Sequence, residues 1–189
     1  MTPKETNKVR LVELGDAPFR DYRRTLVRDY AANKVLAGAW TQAEAEDRAA
    51  RDVDGLLPEG PITQGHFLYS VRDDSTDAEV GTVWYALRDS GVGRSVWIYD
   101  IIIHENFRRK GYASRTLELV EDKARELGAK SVELHVFGHN YGARALYEKM
   151  DYNETSITMA KQVGAGGGEI PHSSRYRVIR NPHDDSPAV

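Results

Sequence analysis

The chain has 189 residues, of which 40% are apolar and 29% charged, and this is enough for one globular domain with a full hydrophobic core. Its formal net charge of -3 argues against general affinity for nucleic acid, and the absence of cysteine excludes disulfides and thiolate metal sites. Because the N-terminal segment lacks the apolar core of a signal peptide and no apolar run is long enough to span a bilayer, we expect a cytoplasmic protein without membrane contacts.

The first third of the chain predicts a short strand followed by two helices. Residues 9–14 are typical of a strand, and Asp16 is a candidate cap for the helix that follows. Thr41 and Glu44 form a capping-box pattern at the start of the second helix. In both helices the apolar residues recur at helical spacing, so each has one face for the core.

After residue 65 the sequence predicts three strands. Segments 66–73 and 79–87 are rich in aromatic and β-branched residues and are separated by a polar turn, as in an antiparallel hairpin. Residues 95–103 are almost all apolar, which predicts a central strand that is buried on both faces. Asp100 is the only charged residue in that strand, and a buried charge costs several kcal/mol unless it is paired or functional.

A helix, a strand, a shorter helix and a last strand complete the predicted domain. The first helix covers 113–127, and the strand that follows covers 131–137. Asn140 is placed to cap the shorter helix, and residues 155–163 predict the closing strand. The resulting order β-α-α-β-β-β-α-β-α-β indicates a mixed α/β fold.

The composition changes after residue 163, so we predict a folded domain over 1–163 and a flexible Gly-rich linker with a polar tail over 164–189. The run GAGGGE invites a dinucleotide-binding interpretation. Glu169 stands where that motif requires a glycine, and no helical pattern follows, which favours a linker.

A basic segment, Arg108-Arg109-Lys110, directly precedes Gly111 at the predicted start of a helix. The first turn of a helix has unpaired N–H groups and the positive end of the helix dipole, and glycine lets an anion approach the main chain. Cations at this end are unfavourable with the dipole unless an anion is present. The segment therefore favours a phosphate site, and the alternative is a solvated basic turn before an ordinary helix.

The segment 108–113, RRKGYA, resembles the Arg/Gln-x-x-Gly-x-Gly/Ala loop by which N-acetyltransferases of the GNAT superfamily bind coenzyme A. The flanking residues also follow the order and spacing of that family, and they are Ile101, Ile103, Leu134, Val136, Asn140, Ala143, Leu146 and Tyr147. The resemblance covers roughly residues 9–163. It implies an α/β fold of the mixed α+β kind, with a twisted, mostly antiparallel sheet of six to seven strands flanked by about four helices.

The resemblance implies that acetyl-CoA is the acetyl donor. We expect no metal, because His135 and His139 are too far apart in a strand and its exit loop for one ion and no third ligand has suitable spacing. The main chain of 101–103 would pair with the pantetheine arm like an added strand, and the N–H groups of 109–114 would hold the pyrophosphate. Asn140 would contact the pantetheine end of the molecule. The predicted acetyl-CoA-binding residues are Ile101, Ile102, Ile103, Arg108, Arg109, Lys110, Gly111, Tyr112, Ala113, Ser114, Asn140 and Tyr147.

Two residues carry the predicted chemistry. By the resemblance, the Tyr147 hydroxyl protonates the departing thiolate, and Asp100 accepts a proton from the amine. The alternatives are structural: Asn140 as a helix cap, Tyr147 as a core residue, and Asp100 in a buried ion pair or a hydrogen bond to a neighbouring loop. Glu133 and His135, which share one face of the next strand, and a water molecule are weaker candidates for the base.

Two positions depart from the family pattern. The helix that carries Tyr147 usually ends in glycine, whereas here Asp151 follows it; aspartate tolerates the left-handed conformation better than most residues, so we expect the turn to form. Tyr99 stands where relatives that acetylate polyamine-like substrates often have an acid, which argues against such an acceptor.

The sequence therefore predicts an N-acetyltransferase that moves the acetyl group of acetyl-CoA directly to a primary amine of a small molecule, peptide or protein. The alternatives are a non-catalytic CoA-binding regulatory module of the same fold and an acyltransferase that uses a larger acyl-CoA. The expected partners are acetyl-CoA and an amine, without nucleic acid or membrane, and the resemblance favours a homodimer. The aromatic side chains considered for the acceptor pocket, with a core role favoured for each, are Trp40, Trp84, Tyr85 and Trp97.

Overall fold

The computed structural model describes residues 8–90 and 93–158. Within them lie five strands, β1 (Val9–Glu13), β2 (His66–Asp73), β3 (Glu79–Ser90), β4 (Gly93–Ile103) and β5 (Ser131–Leu134). The same residues form four α-helices, α1 (Asp16–Leu36), α2 (Ala45–Leu56), α3 (Tyr112–Glu126) and α4 (Tyr141–Lys149). Short 3-10 turns cover Gly60–Ile62 and Glu105–Phe107. None of the helices in these ranges is long and apolar enough to cross a membrane.

The strands form one mixed sheet in the order β1-β2-β3-β4-β5. The first four are antiparallel neighbours, and β5 pairs with β4 in parallel. One hydrophobic core joins the sheet to α1 and α2, and a second core on the other face joins it to α3 and α4. This arrangement confirms the predicted fold class and the antiparallel hairpin of β2 and β3.

The strand count differs from the predicted six to seven. The described residues contain five strands, and of the expected last strand, 155–163, residues 155–158 form no strand. The rest of that segment and the predicted tail, 164–189, lie outside the described residues. The predicted strand 131–137 is also shorter, because pairing with β4 ends at Leu134.

The predicted caps of the first two helices both differ from the structure. Asp16 is not the cap of α1, because the capping position belongs to Gly15. Asp16 instead lies in the first turn, where its negative charge faces the positive end of the helix dipole. At α2, the capping position belongs to Glu44 rather than Thr41. The Thr41 N–H still donates to Glu44 Oε1 at 3.1 Å, one of the two bonds of a capping box, but in the turn before the helix.

A bulge interrupts β4 beside Asp100. Trp84 of β3 pairs with Asp100, whereas the next residue, Tyr85, pairs with Ile98. Tyr99 is therefore an additional residue in β4, with no partner of its own in the register. A bulge of this kind bends the strand and changes the direction of the side chains around it.

Beyond the bulge, the side chains of β4 face the opposite cores from those that strict alternation along the strand would give. Ile98 packs in the α3/α4 core and Tyr99 in the α1/α2 core, as neighbours in a strand should. Strict alternation from Tyr99 would place Ile103 in the α1/α2 core as well, yet Ile103 lies in the α3/α4 core. The sequence SVWIYDIII does not reveal this shift, because a run that is apolar on both faces has no alternation to interrupt.

The sheet divides where β5 leaves β4. The two strands pair only over Ser95–Ile98 and Ser131–Leu134. From Tyr99 to Ile103, β4 has no second strand neighbour among the described residues, and Asp100 to Ile103 keep their pairing with β3. This leaves an open edge of main chain on β4.

Gly81 of β3 lies opposite Ile103 of β4. A Cβ at this position would lie 2.1 Å from the Ile102 carbonyl oxygen, and backbone cannot move aside as a side chain can. We expect Gly81→Ala to lower the free energy of unfolding by about 1–3 kcal/mol, as overpacking does, measured by urea denaturation.

The matched control is Gly55→Ala. Gly55 lies within α2 and a Cβ there would meet nothing within 4 Å, so the change should be neutral or stabilising. Equal urea midpoints for Gly81→Ala and the wild type would disprove the close approach.

Candidate active site

The loop between β4 and α3 has the geometry of an anion site. Arg109 (φ 61°) and Gly111 (φ 90°) both have left-handed backbone conformations on either side of Lys110, and all three residues are exposed. Successive N–H groups in such a loop form a concave surface for anions, and the first-turn N–H groups of α3 have no acceptors within the helix. A Cβ on Gly111 would meet nothing within 4 Å, so the space beside its main chain is open.

The three cations of the loop are not equivalent. Arg108 Nε donates to the Ile103 carbonyl oxygen at 2.9 Å and therefore fastens the loop to the end of β4. Lys110 Nζ donates to the Asn106 carbonyl oxygen at 2.8 Å. The sequence predicted all three as phosphate ligands and gave no sign that Arg108 has a partner in the main chain.

Asn140 lies at the N-terminus of α4, beyond the fork of the sheet. Its Oδ1 accepts a hydrogen bond from the Ala143 N–H at 3.1 Å, and the residue is buried. The predicted helix cap is therefore confirmed. The contact of Asn140 with pantetheine stays a prediction.

Tyr147, on the inward face of α4, is buried. Burial raises the pKa of its hydroxyl, and the negative charge of Asp100 raises that pKa further. The hydroxyl is thus protonated at neutral pH, as an acid must be before it acts. After Tyr147, the helix ends at Asp151 in the left-handed conformation (φ 62°), as the sequence predicted.

Asp100 is completely buried (0% exposed) and accepts a hydrogen bond from the Tyr22 hydroxyl of α1 at 2.9 Å. Of the structural alternatives for Asp100, the structure therefore supports a buried hydrogen bond, but to a helix rather than a loop. Tyr22 was not predicted as a site residue, because its position in the apolar repeat of α1 indicates only that it faces the core. The useful signal was Asp100 itself, since a buried carboxylate requires a donor.

These contacts bring three polar groups together from three separate elements. Tyr22 comes from α1, Asp100 from β4 and Tyr147 from α4, where β4 and β5 separate. The β4–α3 loop begins at the end of the same strand. A loop with the geometry of an anion site, an open strand edge, a carboxylate and a protonated hydroxyl are therefore arranged around one fork in the sheet.

The weaker candidates for the base are not buried as Asp100 is. Glu133 and His135 are exposed. Glu133 Oε1 accepts a hydrogen bond from Ser131 Oγ at 2.8 Å, and the His135 ring packs edge-on against Phe137. In the described ranges, no group of three or more His, Asp or Glu side chains is arranged to hold a metal ion.

The aromatic residues considered for an acceptor pocket are parts of the two cores. Trp84 and Tyr85 are 0% exposed, and Trp40 and Trp97 are also buried. Trp84 stacks on Tyr99 with ring centroids 4.4 Å apart. These contacts support the core role that the sequence favoured.

A half-buried histidine belongs to this aromatic cluster. His66 Nδ1 accepts a hydrogen bond from Trp84 Nε1 at 3.0 Å. Burial, followed by the charge of Arg88, lowers the pKa of His66 to about 4. The neutral ring is therefore the form that the folded protein requires.

We expect acid to destabilise the protein through His66. Its folded pKa lies below the ordinary value of 6.5, so the unfolded chain takes up the proton first as the pH falls. Stability should then decrease progressively between about pH 6.5 and pH 4. In His66→Gln this part of the pH dependence should be smaller, as measured by urea denaturation followed by tryptophan fluorescence.

The control is His104→Gln, which changes an exposed histidine and should keep the wild-type pH dependence. An unchanged pH profile for His66→Gln would show that His66 does not carry the effect.

This chain is similar to known proteins in both sequence and structure. A sequence model of the Acetyltransferase (GNAT) family matches residues 23–152. The chain is 34% identical over 155 residues to YycN and 31% identical over 153 residues to YdgE, two uncharacterised N-acetyltransferases of Bacillus subtilis strain 168. The alignments cover 82% and 81% of this chain, and 99% and 97% of the two relatives.

Solved structures give the same picture of the fold. The crystal structure of Bacillus subtilis YycN matches with a TM-score of 0.77 at 33% identity, covering 82% of this chain and 99% of that one. A Pyrococcus furiosus protein assigned as an acetyltransferase matches with a TM-score of 0.56 at 22% identity, over 82% of this chain and 100% of its own. At that identity the second likeness concerns the fold alone.

Proposed function

This chain belongs to the Acetyltransferase (GNAT) family, whose members generally use acetyl-CoA, and from that premise we propose that it transfers the acetyl group of acetyl-CoA directly to a primary amine. One observation carries the proposal: the open edge of β4, which begins after Ile98, leads directly into an anion-binding loop at the start of α3. An extended thioester arm followed by a diphosphate requires these two features in this order.

The residues present fit acetyl-CoA. The main chain of Ile101–Ile103 does not pair with β5, so it could pair with the amides of pantetheine in the manner of an added strand, with the Ile103 carbonyl oxygen already held by Arg108. The N–H groups of Tyr112, Ala113 and Ser114, with the left-handed loop before them, would hold the diphosphate. Arg109 and Lys110 add positive charge beside it. When bound there, acetyl-CoA supplies an activated acetyl group at the fork of the sheet.

Tyr147 acts in this proposal as the acid for the leaving sulfur. Its hydroxyl is buried next to the fork and is kept protonated by burial and by the charge of Asp100. A group in that state can donate its proton, or a strong hydrogen bond, as negative charge develops on the sulfur.

Asp100 acts as the base that removes the proton from the amine. It is the only acidic residue of β4, and it accepts a hydrogen bond from the Tyr22 hydroxyl, which orients the carboxylate. Burial would strengthen its attraction for an ammonium group. A backbone N–H near Ile102 or Ile103 would stabilise the negative charge that develops on the acetyl oxygen.

The experiment combines binding and turnover. Calorimetry measures the affinity for acetyl-CoA, and release of free thiol is followed over a panel of primary amines from small molecules to peptides. Binding followed by turnover with at least one amine supports the proposal. Tight binding without turnover on any amine, and with no effect of Tyr147→Phe, would indicate a non-catalytic CoA-binding module instead. Faster turnover with a longer acyl-CoA would indicate another acyltransferase.

A further inference from the structure

The first residue of α3 is tied to a distant turn of the sheet. The Tyr112 hydroxyl donates to Asp73 Oδ2 at 2.7 Å, although the two residues are 39 positions apart. Tyr112 directly follows Gly111 in the anion-binding loop, and Asp73 is the last residue of β2. Both side chains are buried, Asp73 with only 3% exposed and Tyr112 with 7%.

Asp73 is held rigidly from its other side. Its Oδ1 accepts hydrogen bonds from the N–H and hydroxyl groups of Ser75 and from the N–H and hydroxyl groups of Thr76. The bonds from Ser75, then those from Tyr112 and Thr76, hold the pKa of Asp73 far below its usual range. The carboxylate is therefore a fixed, charged acceptor, and hydrogen bonds to charged acceptors are stronger than those between neutral groups.

Tyr112 also contacts the residue that precedes the loop. Its ring packs edge-on against Phe107, with centroids 5.9 Å apart. Burial and the bond to Asp73 raise the pKa of Tyr112 to about 12, so its hydroxyl stays protonated and available to donate. One side chain thus fixes both ends of the loop 108–111.

The loop needs such an anchor because its conformation is costly. Arg109 is in the left-handed region with φ 61°, where a residue other than glycine is strained. The three cations of the loop also repel one another when no anion is present. A conformation of this kind persists only where the surrounding structure enforces it.

We propose that Asp73 and Tyr112 form a positioning pair, which holds the loop 108–111 in the conformation that binds the diphosphate of acetyl-CoA. The turn between β2 and β3 thereby contributes to affinity without touching the ligand. This inference rests on the proposed function.

The test compares two ligands with the same thioester arm. Acetyl-CoA carries the diphosphate, whereas S-acetylpantetheine lacks it, and calorimetry with the full chain measures both affinities. We expect Tyr112→Phe to raise the Kd for acetyl-CoA about tenfold, as expected for a lost hydrogen bond to a charged group. The Kd for S-acetylpantetheine should not change.

The matched control is Tyr152→Phe. It also removes a hydroxyl that donates to a carboxylate, Glu121 at 3.2 Å, but it lies outside the loop, and its Kd for acetyl-CoA should equal the wild-type value. Asp73→Asn is the second variant, with thermal melting as its folding check, because Asp73 also orders its own turn.

Three results would contradict the proposal. Wild-type affinity of Tyr112→Phe for acetyl-CoA would show that the bond does not position the loop. An equal loss for both ligands would show a general structural defect. A wild-type protein that binds neither ligand would overturn the proposed function itself, and this inference with it.

Discussion

Gly111→Glu should abolish acetyl-CoA binding, with a Kd at least about 100-fold above the wild-type value, because a carboxylate beside a diphosphate costs several kcal/mol. Gly111 caps α3 with φ 90°, and the space where its side chain would begin is open. A glutamate there would place negative charge where the diphosphate is expected to bind. Calorimetry with acetyl-CoA measures the loss, and circular dichroism checks that the helices and strands are retained.

Gly128→Glu separates the effect of the charge from the effect of backbone strain. Gly128 lies just beyond the other end of α3, also has a left-handed conformation (φ 73°), and also has nothing within 4 Å of a Cβ. The two variants therefore share the same substitution and the same strain, and only Gly111→Glu should lose affinity. Retained affinity for acetyl-CoA in Gly111→Glu would indicate that the segment 108–111 is only a solvated basic turn.

The features that the sequence predicted well depend on neighbouring residues. The Asn140 cap and the left-handed Asp151 are decided within one helical turn, because the bonds or conformations concerned involve residues that are close in sequence. The hairpin of β2 and β3 is equally local. The prediction of an anion site at 108–111 also rests on neighbouring residues, its glycine and cations, and it stays a prediction.

The bulge at Tyr99 illustrates a feature that the sequence hides. Side-chain alternation is the only sign of strand phase, and β4 is apolar on both faces. The prediction therefore placed Asp100 in a central strand but could not decide the direction of its carboxylate. The hydrogen bond from Tyr22, 78 residues earlier, required the packing of α1 on the sheet.

The bond between Asp73 and Tyr112 was missed for a related reason. Asp73 belongs to a polar turn, where aspartate is ordinary, and Tyr112 stands at a position that the loop motif leaves unspecified. The local sequence explains the presence of each residue, so neither one predicts that the other is its hydrogen-bond partner. Only the antiparallel pairing of β2 and β3 and the packing of α3 on the sheet bring them into contact.

Asp100→Asn should lower kcat about 100-fold in the thiol-release assay, which is the usual contribution of a positioned acid or base. The change is close to isosteric, and the amide oxygen can still accept the hydrogen bond from Tyr22, so we expect the fold to be retained. Thermal melting provides that check. Glu133→Gln and His135→Gln change the exposed candidates on β5 and beyond, and each should keep most of the activity.

The same experiment tests a coupling between Asp100 and Tyr147. The charge of Asp100 raises the pKa of Tyr147, so when Asp100 accepts the proton of the amine and becomes neutral, Tyr147 becomes a stronger acid. Proton uptake at one group thereby assists proton donation at the other. The double variant Asp100→Asn/Tyr147→Phe should therefore lose less than the product of the two single losses. Full additivity would contradict the coupling. A wild-type kcat in Asp100→Asn, with a loss in Glu133→Gln or His135→Gln, would assign the base to the exposed residues.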